Sequence, residues 1–257
     1  MGKLISETRL MWGMPITVAI VEPLSSQVSD QAMSLISQVF AYFEYIDDKF
    51  STYKPTSEIS LINQGVLSVA DASHDMQTVL DLAEILRLET DGYFNIAHEG
   101  RIDPSGLVKG WALSKAADML CNSGCAHFYV EAGGDFQAVG LNAEGEPWRV
   151  GIRNPFQTDE IVTVLGVSNC GVATSGTYIR GQHIYDPISG GLPDAEIISI
   201  TVIGPNVYEA DCYATAAFAM GPAGIRFIQS RDGFEGYMID RNQQATFTSG
   251  FNRYRRS

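Results

Sequence analysis

The sequence predicts an α+β fold in which mixed or antiparallel sheets pack against helices. Apolar residues recur at helical spacing in three segments, near 29–47, 75–89 and 107–121, and β-rich runs lie between and after them. These strands and helices do not alternate in a regular βαβ order, which favours an α+β fold over a parallel α/β fold. A chain of 257 residues can build a proper hydrophobic core, and we expect residues 1–257 to form a single domain.

Composition excludes one large class of function. The formal net charge of −13 argues against nucleic-acid binding, which would need a basic patch. The only basic run is the C-terminal tail with Arg253, Arg255 and Arg256, which we expect to be a solvated terminus. The four cysteines form no Cys-x-x-Cys pair, so a zinc site is not expected.

No segment of the sequence indicates a membrane or a secretory route. The N-terminus lacks the apolar region of a signal peptide, and no apolar run is long enough to cross a bilayer. We therefore expect a cytoplasmic protein without a membrane segment.

The first third of the chain predicts one strand followed by helices. Residues 14–22 form a β-rich run that Pro23 ends. Ser29 or Asp30 can cap the first helix, whose inner face is apolar apart from Asp47.

A polar turn with two aromatic residues, Phe50 and Tyr53, follows this helix. A second helix is expected from about Asp75 to Glu89, with Asp91-Gly92 closing it.

The stretch from Ile102 to Ala112 predicts an extended segment, a turn and the start of a helix. Pro104 biases Asp103 towards an extended backbone, and Gly106 permits close approach of a ligand or another segment. The start of a helix presents unpaired N–H groups, and here it also carries Lys109. This arrangement suits a phosphate, although a strand, turn and helix with glycines is more often plain topology.

The second half of the chain predicts strands around a single longer helix. Strand 127–131 ends in Gly133-Gly134-Asp135, which suits either contact with a ligand or a tight turn. Further strands are expected at 148–152, 161–165, 196–203, 236–240 and 244–248. A helix opens at Asp211 and stops at Gly221-Pro222.

Asp211 and Thr215 are four residues apart on this helix, so their oxygens face one side. Oxygen ligands suit a hard cation such as Mg²⁺, with phosphate and water completing its coordination. The alternative is that Asp211 favours the start of the helix electrostatically while Thr215 packs. As a metal ligand, Asp211 is expected to be exposed and to contribute little to the core.

His183 follows a polar Thr-Ser-Gly run and stands near Asp186, so it could act as a general base near neutral pH. A lone histidine in a loop is more often structural or solvated. Ser175 lacks a surrounding Gly-x-Ser-x-Gly motif, and the chain has no Gly-x-Gly-x-x-Gly or Walker-type motif. Serine hydrolase, Rossmann and P-loop sites are therefore not supported.

An ordered set of landmarks spans most of the chain, and together these resemble the FAD:protein FMN transferase (ApbE) family in its short form. They are Phe50-Ser51-Thr52-Tyr53 with Ser57-Glu58-Ile59, Asp91-Gly92-Tyr93-Phe94, Asp103-Pro104-Ser105-Gly106-Leu107-Val108-Lys109-Gly110, Gly133-Gly134-Asp135, Pro147-Trp148-Arg149-Val150-Gly151-Ile152, Ala173-Thr174-Ser175-Gly176, His183-Ile184-Tyr185-Asp186-Pro187 and Ala210-Asp211-Cys212-Tyr213-Ala214-Thr215-Ala216.

The resemblance implies an ApbE-like fold and a Mg²⁺-dependent enzyme, with Mn²⁺ as the alternative ion. Such enzymes move the FMN part of FAD onto a Thr or Ser hydroxyl of a target flavoprotein and release AMP. By position, Asp211, Thr215 and the backbone carbonyl of Gly106 would hold the metal, and His183 would be the base. The residues expected along FAD are Tyr53, Tyr93, Phe94, Asn95, Asp103, Lys109 and Tyr185.

Three features depart from the family pattern. Trp12-Gly13-Met14 stands where Met-Gly-Thr is usual, and Asn95 replaces an aspartate. The segment between Phe94 and Asp103 is several times shorter than usual, in a region that helps to shape the flavin cleft. Two alternatives therefore accompany FMN transfer: a metal-dependent FAD pyrophosphatase that uses water as acceptor, and a non-catalytic flavin-binding protein.

Overall fold

The structure, a computed structural model, describes residues 2–23, 29–98, 100–176, 187–188 and 196–256. It confirms the predicted α+β class, because helices pack against sheets whose paired strands are antiparallel. No helix in the described part of the chain is both long and apolar enough to span a membrane.

The strands form a large sheet, a small sheet and a short hairpin. In chain order they are β1 (Gly2–Met11), β2 (Met14–Pro23), β3 (Ala97–His98), β4 (Arg101–Ile102), β5 (Phe128–Ala132), β6 (Asp135–Val139), β7 (Trp148–Arg153), β8 (Ile161–Val167), β9 (Cys170–Gly176), β10 (Ile197–Gly204), β11 (Glu235–Asp240), β12 (Ala245–Phe247) and β13 (Arg255–Arg256). Within the described residues, the large sheet has the order β1-β2-β5-β6-β9-β10-β11-β12 and the small sheet the order β13-β8-β7.

The helices are α1 (Ser29–Phe50), α2 (Glu58–Asn63), α3 (His74–Glu89), α4 (Ser105–Asn122), α5 (Val207–Ala219) and α6 (Gly224–Gln229). Side-chain oxygens cap three of them: Ser57 accepts the Ser60 N–H, Ser73 accepts the Met76 N–H, and Asn206 accepts the Glu209 N–H.

Several predicted boundaries were wrong. Helix α5 begins at Val207, where Asn206 caps it, so Asp211 lies inside the helix and does not mark its start. Strands β1, β6 and β9 and helix α2 were not predicted. The basic tail is not merely solvated: Arg255 and Arg256 pair with Leu165 and Val164 as a strand of the small sheet.

Hydrophobic burial arranges the molecule in three layers. One face of the large sheet, including Val18, Val130 and Ile200, packs against the helices in a continuous core. Side chains from the other face, such as Phe136, pack against Trp148 and the rest of the small sheet in a second core. The central strands of the large sheet are therefore buried on both faces, while the edge strands β1 and β12 are largely exposed.

The two helices that carry the site residues are brought together by a glycine. A Cβ added at Gly110 of α4 would lie 2.7 Å from the Tyr208 Cα and 3.2 Å from the Asp211 Cβ of α5. Only a residue without a side chain fits there. This contact places Lys109 beside Asp211.

Candidate active site

A cleft of about 800 Å³ lies where the β1–β2 and β5–β6 turns meet the end of α1 and the start of α4. Its walls include residues 12–15, 46–47 and 50–53, together with Asp103, Ser105, Val108, Lys109, Glu131, Gly133, Gly134, Gly151, Arg153 and Thr174. The volume is in the range of small-molecule and cofactor sites.

Lys109 lies between two buried carboxylates. Its Nζ forms an ion pair with Asp135 Oδ2 and lies 3.4 Å from Asp211 Oδ2. Asp135 is 1% exposed and Asp211 is 4% exposed, which corrects the expectation of an exposed Asp211. Buried charges are costly unless they are paired. Two carboxylates and one ammonium leave a formal charge of −1, which favours a further cation.

The β5–β6 turn positions Asp135. Ala132 pairs with Asp135 across the two-residue loop Gly133-Gly134, in which both glycines have positive φ (58° and 99°). Such φ values are typical of tight hairpin turns and suit glycine. Asp135 Oδ1 also accepts the Thr174 N–H at 3.2 Å. The segment is thus a tight turn that also carries a buried carboxylate against Lys109.

The predicted metal ligands lie on α4 and α5, the two helices that meet at Gly110. The Gly106 carbonyl lies 3.9 Å from Cys212 Sγ, and the Thr215 hydroxyl lies 3.2 Å from Ser175 Oγ on β9. No group of three or more His, Cys, Asp or Glu side chains that could hold a metal is found in the described part of the chain. A metal here would therefore depend on hydroxyl and carbonyl oxygens besides carboxylate, and this donor set fits Mg²⁺ or Mn²⁺.

Cys212 does not compete as a thiolate ligand. Burial, with a smaller contribution from Asp211, raises the pKa of its thiol well above the ordinary value. The thiol therefore stays protonated and acts as a weak donor towards the Gly106 carbonyl.

Asp103 lies at the start of α4 and lines the cleft. Its Oδ1 accepts the Ser105 N–H at 3.0 Å. The short segment before it is a two-stranded hairpin, in which Ala97 pairs with Ile102. Asn63 exchanges two hydrogen bonds of 2.8 Å with the backbone of Ile102. These contacts fix Asp103 relative to α4 despite the shortened connection.

Tyr53 lies on the rim of the cleft and is 95% exposed. The neighbouring Lys54 forms ion pairs with Asp47 and, at 2.8 Å, with Asp48 at the end of α1. These contacts connect the turn to α1, while the Tyr53 ring projects into solvent where a planar ligand could stack.

Tyr93, Phe94 and Asn95 are not among the described residues that line the cleft. Phe94 is 3% exposed and belongs to the helical core, where its Cε2 lies 3.7 Å from the position of a Cβ at Gly106. In this position, Phe94 can support the first turn of α4. The Asn95 side chain accepts the Ala97 N–H at 2.9 Å.

His183 and Tyr185 lie outside the described residues, so their predicted roles stay predictions. Three charged residues that line the cleft were not predicted as site residues: Asp47 on α1, Glu131 on β5 and Arg153 on β7. For Glu131, strand alternation was the available signal, because this residue stands between the buried Val130 and Ala132 and so faces the other side of the sheet. Burial, with a smaller contribution from Asp135, raises the pKa of the Glu131 carboxyl.

The sequence is similar to known proteins over most of its length. A family model described as "ApbE family" matches residues 12–100 and 97–238. The two matches meet at the shortened hairpin.

Two relatives share the name "FAD:protein FMN transferase". The one from Escherichia coli (strain K12) is 32% identical over 149 residues, which cover 54% of this chain and 42% of the relative. The one from Vibrio cholerae serotype O1 is 26% identical over 275 residues, covering 79% of this chain and 82% of the relative. The match thus spans about two-fifths of the Escherichia coli relative.

Solved structures show the same fold. The flavin transferase ApbE from Vibrio cholerae matches with a TM-score of 0.85 and 22% identity, covering 99% of this chain and 100% of that one. The ApbE protein from Thermotoga maritima matches with a TM-score of 0.85 and 20% identity over the same shares.

Proposed function

The chain belongs to the ApbE family, and we propose that it transfers the FMN moiety of FAD to a Thr or Ser hydroxyl of a target flavoprotein, releasing AMP. The observation that carries the proposal is the Lys109 site, where one ammonium lies between two buried carboxylates on the wall of a cofactor-sized cleft. Hydroxyl and carbonyl oxygens predicted to bind a metal lie on the same two helices.

The reaction breaks one phosphoanhydride bond and forms one phosphoester bond. The acceptor hydroxyl oxygen attacks the phosphorus of the FMN half, and the bond between that phosphorus and the bridging oxygen breaks. The bridging oxygen leaves with AMP, and the hydroxyl proton passes to a base. FMN remains attached to the acceptor through a phosphoester.

Lys109 has a direct electrostatic role in this reaction. Lys109 lies in the second turn of α4 and lines the cleft. Negative charge accumulates on the phosphate oxygens and on the leaving AMP in the transition state. A fixed cation at that position stabilises this charge more than it stabilises the ground state.

Asp211, Thr215 and the Gly106 carbonyl are the residues that would hold Mg²⁺, with Mn²⁺ as the alternative. When bound, such an ion supplies charge neutralisation on the pyrophosphate oxygens. Asp135 keeps Lys109 in position by its ion pair, and Asp211 contacts the same ammonium.

Further roles rest on the family motifs. Tyr53 and Asp103 are placed on the cleft wall, where they can contact FAD. We assign the base that takes the acceptor proton to His183 and a further FAD contact to Tyr185.

The test is a titration of the purified chain with FAD, with and without MgCl₂, followed by assays of AMP and of protein-bound flavin. Several ApbE-target flavoproteins serve as acceptors, and each is paired with a variant lacking the acceptor hydroxyl. Mg²⁺-dependent AMP release with flavin on the intact acceptors alone is the expected result. AMP and free FMN in equal amounts without acceptor would instead identify an FAD pyrophosphatase, and bound FAD with no AMP would identify a flavin carrier.

A further inference from the structure

The small sheet concentrates positive charge in an acidic protein. Its strands β7, β8 and β13 contain four arginines and no carboxylate. The whole chain has a formal net charge of −13. The turn between β7 and β8 contains the carboxylates Asp159 and Glu160, and Glu131 of the large sheet interacts electrostatically with Arg153.

Three of these arginines share the outward face of the sheet. Arg149 and Arg153 alternate with buried residues on β7, and Arg149 pairs with Gly166 of β8. The Arg256 side chain crosses β8 over the same glycine: a Cβ at Gly166 would lie 2.5 Å from Arg256 Nε. The absence of a side chain at Gly166 thus leaves room for Arg256, whose Nη1 donates to the backbone carbonyls of Arg253 and Arg255.

The opposite face of the small sheet is buried, because it packs against the large sheet through Trp148, Ile152 and Leu165. The arginine face, defined by Arg149, Arg153 and Arg256, is exposed. Exposed guanidinium groups can form charge-assisted hydrogen bonds with the carboxylates of an approaching protein.

The arginine face is continuous with the cleft. Gly151 and Arg153 line the cleft and belong to β7, whose other end carries Arg149. A protein that inserts a hydroxyl into the cleft must rest on its rim. Among the described elements that line the cleft, β7 carries two exposed arginines, Arg149 and Arg153.

We propose that the arginine face docks an acidic surface segment of the protein that carries the acceptor hydroxyl. This inference rests on the proposed function for the identity of the partner. Charge complementarity favours this occupant, because an acidic segment is attracted to this face and repelled by the rest of the molecule.

The test measures binding of a fluorescein-labelled peptide of repeated Glu-Glu-Thr units by fluorescence anisotropy, with a Lys-Lys-Thr peptide in parallel. The double variant Arg149→Glu/Arg256→Glu reverses two charges of the face and leaves the cleft-lining Arg153 in place. The control, Arg87→Glu/Lys115→Glu, makes the same change in net charge at a partly exposed position of α3 and an exposed position of α4. AMP release and flavin transfer are assayed on the same samples.

We expect the wild-type chain to bind the acidic peptide and the face variant to bind it roughly tenfold more weakly or worse, since juxtaposed like charges are strongly unfavourable. The control should stay within about twofold, because exposed charges elsewhere are screened. Three outcomes would overturn the proposal. They are no peptide binding by the wild type, an equal loss of peptide affinity in the control, and tighter binding of a single-stranded oligonucleotide of equal charge. Peptide binding without any flavin transfer would refute the proposed function alone, and flavin transfer without peptide binding would refute the docking alone.

Discussion

Lys109 combines a structural and a chemical role, and substitution can separate them. In Lys109→Met, Asp135 and Asp211 lose the ammonium that pairs with them, which should cost about 3 kcal/mol of stability. That loss corresponds to a decrease in Tm of roughly 6–12 °C. Flavin transfer should fall by roughly 10²–10³-fold, because the fixed cation facing the phosphates is gone. Calorimetry and the transfer assay measure the two effects.

The double variant Lys109→Met/Asp135→Asn is the control for this prediction. Removing one of the two carboxylates relieves their repulsion, so part of the lost Tm should return. Activity should not return, because no cation replaces Lys109. Near wild-type transfer by either variant would remove Lys109 from the mechanism.

Glu131 makes stability depend on pH. Burial raises the pKa of its carboxyl above the unfolded value of 4.5. The folded state therefore binds more protons than the unfolded state between these two values, so stability falls as pH rises through this window. Glu131→Gln should raise Tm at pH 7, and the gain should vanish below the unfolded value. The Gln side chain can still accept the Gly134 N–H. Measurements of Tm across this pH range test whether Glu131 destabilises the folded state as pH rises. A lower Tm for the variant than for the wild type at pH 7 would contradict this prediction.

Short sequence motifs identified some residues of the candidate site, but they did not show that Lys109 pairs with Asp211. Asp211, Thr215 and Lys109 were identified from their positions in helices and family motifs. The sequence could not show that Asp211 is buried against Lys109, because that contact depends on the close approach of α4 and α5 at Gly110. Arg153 was missed because its strand enters the cleft wall only through tertiary packing.

At the scale of secondary-structure elements, the contact between α4 and α5 sets the geometry of the site. The variant Gly110→Ala tests the importance of this contact. The new Cβ would meet the Tyr208 backbone at 2.7 Å, so the helices must separate. Overpacking of this kind costs roughly 1–3 kcal/mol. Because separation also moves Lys109 away from Asp211, transfer should fall together with Tm.

Gly106→Ala is the matched control for stability, since it lies on the same helix. Among the described residues, its Cβ would meet Phe94 Cε2 alone, at an ordinary contact distance of 3.7 Å. Its Tm should equal or slightly exceed that of the wild type. Equal Tm values for the two alanine variants would show that the helices tolerate a side chain at 110.

Helices and strands were predicted well where a single hydrophobic periodicity runs through the segment. They were predicted poorly where the element forms through contacts with distant segments. The pattern of buried residues in 74–89 gives helix α3 almost to the residue. Strand β1 was missed because its burial is slight and its pairing with β2 comes from the Trp12-Gly13 turn, in which both residues have positive φ. Strand β13 is only two residues long and follows from pairing with β8.

At the scale of the whole molecule, the C-terminal segment connects the two sheets. Glu235, on β11 of the large sheet, is buried and accepts hydrogen bonds from the Thr248 hydroxyl and, at 3.1 Å, from the Gly250 N–H. Its other oxygen lies 3.4 Å from Arg253, directly before β13. One carboxylate therefore holds the segment that completes the small sheet and carries Arg256.

Glu235→Ala should release this segment. The Thr248 and Gly250 donors lose their acceptor, and together with the lost ion pair this should cost about 3 kcal/mol, or roughly 6–12 °C in Tm. Glu196→Ala, at an exposed carboxylate 3.9 Å from Arg241, is the control and should change stability by less than about 0.5 kcal/mol. Hydrogen exchange at the Arg255 and Arg256 amides should accelerate more than exchange in the large sheet, because the lost contacts are local. If exchange rises uniformly instead, Glu235 stabilises the whole fold and the arginine face does not depend on this carboxylate in particular.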